Sequence, residues 1–326
     1  MTAEKLLSVR DLEVSFALRS GTYKAVKGVS FDLDKGERLG LVGESGAGKS
    51  ITGFSIINLI SAPGRITGGS VLFEGTDLSK LPPEAMRHIR GNRVAMIFQD
   101  PMMTLNPVLT IGQQMLETIR AHMSVPDAEA RRIAVEKLSM VHIPSPERRL
   151  GQYPHEFSGG MRQRIVIAIS LLANPALIIA DEPSTALDVT IQAEIMELLL
   201  ELCESERMGL ILISHDLGVV SQVTQRMAIM YAGSIVEMGA TASIIGKPLH
   251  PYTQGLLAAL PGHQERRGRL NQIPGVMPGL TSIPPGCPFH PRCQRALPVC
   301  SATIPALREH GAISVACHAV DKEAAR

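Results

Sequence analysis

The sequence predicts an α/β fold with a mostly parallel sheet, followed by a small cysteine-containing C-terminal extension. Strand-like and helix-like segments alternate through residue 240, an arrangement typical of parallel strands that are joined by helices. A run of helical segments from about 101 to 160 interrupts the alternation and predicts an inserted α-helical subdomain. Residues 262–298 are dense in proline, which excludes a regular helix or a central strand. We therefore expect one large domain over 1–246 and the extension over 247–326.

The individual elements follow from the period of the apolar residues. Alternation of apolar and polar residues, or a short apolar run bounded by a turn signal, indicates a strand. We predict strands over 8–16, 37–43, 92–99, 176–181, 209–215, 225–231 and 234–239. Apolar residues at helical spacing predict helices over 49–60, 111–123, 127–141, 161–173 and 190–206.

The composition sets the broad class of the protein. The chain has 326 residues, of which 45% are hydrophobic, enough to bury a full-sized core. The formal net charge is +1, and aromatic residues make up only 3% with no tryptophan, so nucleic-acid binding is not indicated. The N-terminus shows no secretory signal, and no segment stays apolar for about 18 residues. We expect a cytosolic chain that does not span a membrane by itself.

The glycine-rich stretch GESGAGKS, residues 43–50, fits the phosphate-binding P-loop pattern between a predicted strand and a predicted helix. Its glycines let successive backbone N–H groups point at phosphate oxygens, and the helix N-terminus adds a positive field. Lys49 would reach the β- and γ-phosphates, and Ser50 would bind Mg²⁺. A chance match in this context is rare, so we predict a nucleotide site. Its loop residues are Gly43, Ser45, Gly46, Ala47, Gly48, Lys49, Ser50 and Ile51.

Two further strand ends carry polar residues suited to phosphoryl transfer. The apolar strand ALIIAD ends in Asp181, and open α/β sheets bind ligands at the carboxyl ends of their strands. We predict Asp181 as a partner of Mg²⁺ and Glu182 as the catalytic group that polarises the attacking water. His215 ends the strand GLILISH, and we predict that it senses the γ-phosphate. The alternative is that these residues only end strands.

Six motifs occur in the order found in ATP-binding subunits of ABC transporters: GESGAGKS, IFQDP, FSGGMRQR, IIADEP, STALD and ISHD. The chain resembles that family from residue 5 to about 245, and SGGMRQ at 158–163 is the diagnostic signature. The stretches FQDPMMTLNPVLTIG and CPFHPRC…C…ACH are similar to the oligopeptide/dipeptide importer branch, which also includes nickel and glutathione uptake subunits. The resemblance implies a P-loop NTPase core with an antiparallel β subdomain and the inserted helical subdomain.

The resemblance also implies roles for single residues. Gln99 resembles the catalytic glutamine that contacts Mg²⁺ and the attacking water. Asp188 resembles the aspartate at the seam between two ATPase subunits. Phe16 matches the aromatic residue that stacks on adenine, with Tyr23 as the rival for that role. The signature residues that bind the γ-phosphate held by the opposite subunit are Ser158, Gly159 and Gly160.

For the complex, the resemblance implies a head-to-tail dimer of ATPase subunits, with each nucleotide held between one P-loop and the partner's signature. The expected partners are a second, distinct ATPase subunit, two integral-membrane permease subunits and an extracytoplasmic substrate-binding protein, with no nucleic acid. The chain would lie at the cytoplasmic face of the membrane and hydrolyse ATP to power dipeptide or oligopeptide import. Alternatives are nickel or glutathione import, or a soluble ABC ATPase outside transport. Met102 and Met103 would contact a permease helix.

Four of the five cysteines lie in the last forty residues: Cys287, Cys293, Cys300 and Cys317. Their spacing lacks the tight pairs of structural zinc sites and of bacterial ferredoxins, so spacing alone names no metal. His290, His310 and His318 are substitute ligands, and four inert buried thiols are the alternative without metal. The resemblance implies a [4Fe–4S] cluster held by the four cysteines, with zinc as the alternative. We expect the extension to lie beside the ATPase and to take no part in the hydrolytic site.

Overall fold

The computed structural model describes residues 5–185, 187–260 and 273–324. The chain divides into two compact units. The helical unit contains Asp34–Glu37 and Lys80–Ile211 together with the first residues of the chain. The P-loop unit contains Leu7–Leu33, Arg38–Ser79 and the residues from Leu212 onward, so the extension falls inside it. The first part of the proline-rich stretch, 262–272, lies outside the described residues.

The strands of the described chain include every strand that the sequence predicts. Three strands of the N-terminal part, Gly21–Asp34, Gly64–Phe73 and Thr76–Asp77, and the two short strands of the extension have no counterpart among the predicted segments. The strands are β1 (Lys5–Leu18), β2 (Gly21–Asp34), β3 (Arg38–Val42), β4 (Gly64–Phe73), β5 (Thr76–Asp77), β6 (Val94–Ile97), β7 (Leu177–Asp181), β8 (Gly209–Ser214), β9 (Arg226–Tyr231), β10 (Ser234–Ala240), β11 (Arg308–His310) and β12 (Ile313–Val315).

The predicted helices are also present, with ends shifted by up to four residues. Within the described ranges, none of the helices combines the length and the apolar character that crossing a membrane requires. The helices are α1 (Lys49–Ile56), α2 (Pro83–Ile89), α3 (Pro101–Thr104), α4 (Ile111–His122), α5 (Asp127–Met140), α6 (Pro146–Arg149), α7 (Gly159–Ser170), α8 (Val189–Glu206), α9 (Leu217–Val223), α10 (Thr241–Gly246), α11 (Pro251–Ala258) and α12 (His318–Ala324). Short 3₁₀ turns lie at Leu78–Lys80, Pro154–Glu156, His290–Arg292 and Pro298–Ser301.

In the P-loop unit, four strands form an antiparallel sheet in the order β2-β1-β4-β5. β1 pairs with β4 so that Leu7 lies opposite Phe73, and the register is irregular between Arg10 and Val14. Gly69 lies in β4 at this irregularity with a φ of 82°, and a Cβ there would overlap carbonyl oxygens of β1. The antiparallel β subdomain that the resemblance implies is therefore present.

The same unit contains a second set of strands in the order β11-β12-β10-β9-β3. β3 and β9 are parallel, with Leu41 opposite Ala228, whereas the pairs β9–β10, β10–β12 and β12–β11 are antiparallel. β9 and β10 form a hairpin whose turn residues, Ala232 and Gly233, have φ values of 46° and 88°. Positive φ at both positions is what a two-residue turn between twisted strands requires. The sheet is therefore mixed here, because a two-residue turn can join only antiparallel strands.

In the helical unit, β6 and β7 pair in parallel, and all five residues of β7 are buried, as expected for a parallel strand covered on both faces. α4 begins with a capping box in which Thr110 and Gln113 each bind the other's backbone N–H. α4 packs against α5, and both pack against α7. The buried face of α4 carries Ile111, Met115 and Ile119, which are spaced four residues apart.

The extension joins the rest of the P-loop unit through backbone pairing and contains a small apolar cluster of its own. β12 adds to the sheet beside β10, with Glu237 opposite Val315. A small buried cluster packs against Leu249 and Leu297 and consists of Val315, Cys317, Ala319 and Val320. Pairing with β10 satisfies backbone groups of β12 and covers an otherwise open edge of the sheet.

We predict that Gly40→Ala lowers the free energy of unfolding by about 1–3 kcal/mol. Gly40 lies in β3, and a Cβ there would overlap Cγ1 of Val220 in α9, so the strand and the helix would have to separate. Urea denaturation followed by circular dichroism measures the change. Gly246→Ala is the matched control, because a Cβ added at the end of α10 meets no atom within 4 Å. Equal midpoints for the two variants would contradict this packing.

Candidate nucleotide site

The P-loop curls tightly between β3 and α1. Helix α1 begins at Lys49, and Gly48 precedes it with a φ of 100°, a left-handed conformation that favours glycine. A Cβ on Gly43 would overlap the carbonyl oxygen of Met230, so only glycine allows the loop to approach β9 this closely. The strand, loop and helix therefore follow one another as predicted for GESGAGKS, and the N-terminus of α1 is suited to an anion.

Lys49 places a buried positive charge at the start of α1. Its side chain is 5% exposed, and Nζ donates hydrogen bonds to the carbonyl oxygens of Gly43 at 2.8 Å and Glu44 at 3.1 Å. An ammonium group has three N–H donors, and these two bonds direct two of them at the backbone of the loop. The positive charge of Lys49 is thereby oriented within the loop. Ser50 follows in the first turn of the helix.

The two aromatic candidates for adenine stacking are both partly exposed. Phe16 lies near the end of β1 with its ring against Gly64, where a Cβ would come within 2.7 Å of Phe16 Cε1. Tyr23 in β2 donates its hydroxyl to the carbonyl oxygen of Ser20 at 3.0 Å, which holds the side chain against its own turn. The assignment of adenine stacking to Phe16 stays a prediction.

His215 follows β8 at its carboxyl end, as the sequence predicts, and its side chain is exposed. The next residue, Asp216, caps α9 by accepting hydrogen bonds from the N–H groups of Gly218 at 2.9 Å and Val219 at 3.2 Å. This cap fixes where α9 begins, just after His215. Its role as a γ-phosphate sensor stays a prediction.

In the helical unit, Gln99 and Glu182 come together after β6 and β7. Gln99 Nε2 donates a hydrogen bond to Glu182 Oε2 at 3.1 Å, and Thr185 Oγ1 donates to the same oxygen at 2.9 Å. Asp181, which ends β7, is 4% exposed. Glu182 has a φ of 46°, so its backbone is strained in a way that persists only where the surroundings hold it. Sequence reasoning did not single out Thr185, although it belongs to the STALD motif.

The signature residues lie at the N-terminus of α7, a helix of 12 residues. Ser158 is the N-cap, and its Oγ accepts a hydrogen bond from the N–H of Met161 at 3.4 Å. Gly160 packs so closely on α8 that a Cβ would come within 2.8 Å of Ile191 Cγ2. Asp188 precedes α8 as its N-cap residue. Ser158 and Gly159 are exposed, so this helix N-terminus is accessible to an anion from outside the unit.

The extension contacts the P-loop directly. The guanidinium of Arg292 donates to both carboxylate oxygens of Glu44, at 2.8 and 3.0 Å. Arg292 Nε also donates to the carbonyl oxygen of Pro274 at 2.8 Å, and Nη1 donates to Tyr231 Oη at 3.3 Å. The backbone N–H of Glu44 donates to Tyr252 Oη at 2.8 Å. Glu44, the second residue of the P-loop, is therefore held through both its carboxylate and its backbone N–H.

An aromatic cluster surrounds this ion pair. Tyr231 makes edge-to-face contacts with Tyr252 and Phe289, with ring centroids 4.8 and 5.2 Å apart. The Arg292 guanidinium lies over the rings of Tyr231 and Phe289 at 5.8 and 5.9 Å. Burial disfavours the charged guanidinium, but the bonds to Glu44 and Tyr231 outweigh burial, so the pKa of Arg292 is raised. Arg292 therefore keeps its positive charge at any physiological pH.

Two buried polar side chains support the start of α11. Glu237 in β10 accepts hydrogen bonds from the N–H groups of Leu249 at 2.7 Å and His250 at 3.1 Å. Burial raises the pKa of Glu237, while these bonds partly offset the rise. His250 Nδ1 accepts from the N–H of Tyr252 at 3.0 Å, and burial together with the charge of Arg295 lowers the pKa of His250 to about 3. His250 is therefore neutral in the folded protein.

The four C-terminal cysteines lie near one another in the extension. The N–H of Cys287 donates to the carbonyl oxygen of Cys300 at 2.8 Å. Burial raises the pKa of Cys287 to about 11, and electrostatic interaction with Cys300, Cys317 and Cys293 adds to the rise. None of the four forms a disulfide. Even so, over the described residues no group of three or more histidine, cysteine, aspartate or glutamate side chains is arranged to hold a metal ion.

The three histidines that could substitute for a cysteine ligand each have another oxygen partner. His290 Nδ1 lies 2.9 Å from the carbonyl oxygen of Cys287. His310 Nε2 lies 3.0 Å from Asp321 Oδ1. His318 Nε2 lies 2.9 Å from the carbonyl oxygen of Thr303. Each of these contacts uses one of the two ring nitrogens of its histidine.

The P-loop with its buried lysine, and the acidic strand end after β7, define the class: a P-loop ATPase. Residues 26–185 match the family described as ABC transporter, and residues 236–300 match the family described as oligopeptide/dipeptide transporter, C-terminal region. The dipeptide transport ATP-binding protein DppD of Bacillus subtilis (strain 168) is 51% identical over 93% of this chain and 90% of its own length. The oligopeptide transport ATP-binding protein OppD of the same organism is 50% identical over 90% of this chain and 83% of its own length.

A solved structure supports the same conclusion for the fold. The ATP-binding cassette MJ0796, in a dimeric post-hydrolysis state bound to ADP and Pi, is 26% identical with a TM-score of 0.65. That match covers 72% of this chain and 98% of the cassette. The chain belongs to the ATP-binding subunits of ABC transporters and carries the C-terminal region of the oligopeptide/dipeptide transporter branch.

We predict that His250 makes the stability of the protein depend on pH. Its pKa is about 3 when folded and near 6.5 when unfolded, so the unfolded chain takes up the proton first. The stability that neutral His250 contributes is therefore present above about pH 6.5 and is lost as the pH falls toward 3. By pH 5 the loss is about 2 kcal/mol relative to pH 7.5.

The measurement is the difference in unfolding free energy between the wild type and His250→Gln, by urea denaturation at both pH values. We expect this difference to shrink by about 2 kcal/mol at pH 5. Val276→Ala, at an exposed residue that does not titrate, is the control and should show the same difference at both pH values. A pH-independent difference for His250→Gln would refute this account.

Proposed function

We propose that this chain is the ATP-hydrolysing subunit of an importer of dipeptides or oligopeptides. The observation that carries the proposal is the combination of a complete set of ATPase motifs with the C-terminal region of the peptide-transporter branch. Relatives about half identical over nearly the whole chain are named for dipeptide or oligopeptide transport, which supports peptides as the cargo. Uptake of nickel or glutathione, the other cargoes of the branch, is the alternative result of the transport test below.

The proposed chemistry assigns a role to each candidate residue. In the P-loop unit, the loop N–H groups and Lys49 bind the phosphates of ATP, Ser50 binds Mg²⁺, and His215 contacts the γ-phosphate. In the helical unit, Asp181 and Gln99 would bind Mg²⁺, and Glu182 would accept the proton of the attacking water. A carboxylate buried at a strand end and an N-terminal helix serine are hard oxygen donors of the kind that Mg²⁺ prefers. Bound Mg²⁺ offsets the charge that develops on the phosphates.

The proposed assembly is a head-to-tail pair of ATPase subunits, the second being a distinct homologue. Ser158, Gly159 and the N-terminus of α7 would bind the γ-phosphate of the nucleotide held by the partner, and Asp188 would lie at the seam. The exposure of Ser158 and Gly159 supports this role. The other partners are two permease subunits and an extracytoplasmic substrate-binding protein, with the chain at the cytoplasmic face of the membrane. Met102 and Met103 are 51% and 86% exposed, as a contact with a permease helix requires.

We predict that Glu182→Gln lowers ATP hydrolysis by about 10²–10⁴-fold while ATP still binds. The carboxylate would no longer accept the proton of the attacking water, whereas the P-loop is unchanged. The test is uptake of labelled dipeptide by proteoliposomes that contain this chain with its permease, partner ATPase and binding protein. Wild-type complex should take up peptide with ATP, and the variant complex should not.

Glu197→Gln, at an exposed carboxylate of α8, is the matched control and should transport like the wild type. Uptake of Ni²⁺ or glutathione without uptake of peptide would refute the proposed cargo. Unchanged hydrolysis in Glu182→Gln would refute the proposed role of that carboxylate.

We further propose that Cys287, Cys293, Cys300 and Cys317 hold a [4Fe–4S] cluster. The electrostatic influence of three of these thiols on Cys287 supports their convergence. Zinc held by the same four thiolates is the alternative. Four cysteine thiolates are also the ligand set that such clusters use.

We predict that anaerobically purified protein is brown, absorbs near 400 nm and contains about four iron atoms per chain. Cys300→Ser should lose the absorbance and most of the iron. Cys203→Ala is the matched control, because Cys203 is a buried thiol in α8, outside the extension, and this variant should keep both. Colourless protein with stoichiometric zinc would contradict the cluster.

A further inference from the structure

A cavity of about 320 Å³ lies between the P-loop and the extension. One side is formed by Ser45, Gly46, Gly48 and Ile51 together with residues of β2. The other side is formed by residues of the stretch 277–283, which we call the wall segment. The cavity is thus bounded by the backbone that is built to bind phosphate and by a part of the extension that the sequence analysis gave no role.

The side chains of the wall segment are suited to an uncharged part of a ligand. Met277, Pro278, Leu280 and Ile283 line the cavity and are partly buried, and none of them carries a charge. Apolar and polarizable side chains of this kind pack favourably against a planar ring. Triphosphate oxygens need N–H donors and cations instead, and those lie on the P-loop side.

The cationic residue that lines the cavity is already paired. Lys24 Nζ lies 2.7 Å from Glu13 Oε1, and this ion pair lowers the net positive charge that Lys24 contributes to the cavity. Ala25, the next lining residue, is apolar. The end of the cavity away from the phosphate loop therefore suits a nucleoside better than another phosphate.

The residues that precede the wall segment, Ile273 and Pro274, are anchored to the rest of the unit. Arg292 Nε binds the carbonyl oxygen of Pro274 at 2.8 Å while its terminal nitrogens bind Glu44 of the P-loop. Ile273 packs on α11 so closely that a Cβ on Gly255 would come within 2.7 Å of Ile273 Cγ1. One guanidinium therefore sets the distance between the wall segment and the loop that binds phosphate.

We propose that the wall segment is part of the nucleotide site, where Met277 and Leu280 contact the ribose and base of ATP, and that Arg292 is the positioning residue that holds this wall against the P-loop. The inference rests on the proposed binding of phosphate by residues 43–50. It assigns to the extension a share in nucleotide affinity and specificity, in addition to any role of its cysteines. The phosphates themselves are bound without the wall segment.

The test compares two probes that differ only in the nucleoside. ATP and inorganic tripolyphosphate are titrated by calorimetry into the full-length chain without Mg²⁺, so that ATP stays intact. We expect the double variant Met277→Ala/Leu280→Ala to raise the Kd for ATP about tenfold and to change the Kd for tripolyphosphate by less than about twofold. Val276→Ala is the matched control, since Val276 lies beside the wall segment and is 88% exposed, and it should change neither Kd.

The unchanged affinity for tripolyphosphate also shows that the double variant is folded. An unchanged Kd for ATP, or an equal loss for both probes, would overturn the proposal. Lys49→Ala tests the underlying assignment separately, because it should weaken both probes. If Lys49→Ala weakened neither, the phosphate site itself would be wrong, whatever the double variant did.

Discussion

The ion pair between Arg292 and Glu44 is the interaction on which the arrangement of the P-loop unit depends. Its two parallel N–H···O bonds fix both the distance and the angle between the extension and the phosphate loop. The Arg292 side chain is 7% exposed and the Glu44 side chain 27%, so loss of one partner would leave a poorly solvated charge. Such losses cost about 3–5 kcal/mol in buried pairs, and the cost here is at the lower end because Glu44 keeps contact with water.

The contacts around this pair make the extension a structural part of the ATPase. Tyr252 of α11 binds the backbone of Glu44, and Tyr231 of β9 binds Arg292. Both tyrosines pack against Phe289, which lies between two of the cysteines. β12 completes the connection by pairing with β10. Phe289 and Arg292 therefore connect the part of the extension that carries the cysteines to the P-loop through packed rings and charged hydrogen bonds.

Features with local signatures could be predicted from the sequence, and features that depend on distant partners could not. The loop at 43–50 and the buried strand before Asp181 are found because glycines, a lysine and an apolar run are adjacent in the chain. The bond between Arg292 and Glu44 joins residues 248 positions apart. The sequence around either residue gives no sign that the other is its partner. β11 and β12 were missed for a related reason, since strands of three residues are ordered by the edge they pair with. The proline-rich stretch suggested a separate extension, although Arg292 within it binds Glu44 of the P-loop.

The most direct test of this account is a double-mutant cycle on Arg292 and Glu44, with the Kd for ATP as the readout. If the two side chains act as one link, Arg292→Met raises the Kd about tenfold, and adding Glu44→Gln changes it by less than about twofold more. If the two substitutions instead weakened ATP binding independently, so that their effects multiplied in the double variant, the extension and the P-loop would not be coupled through this pair.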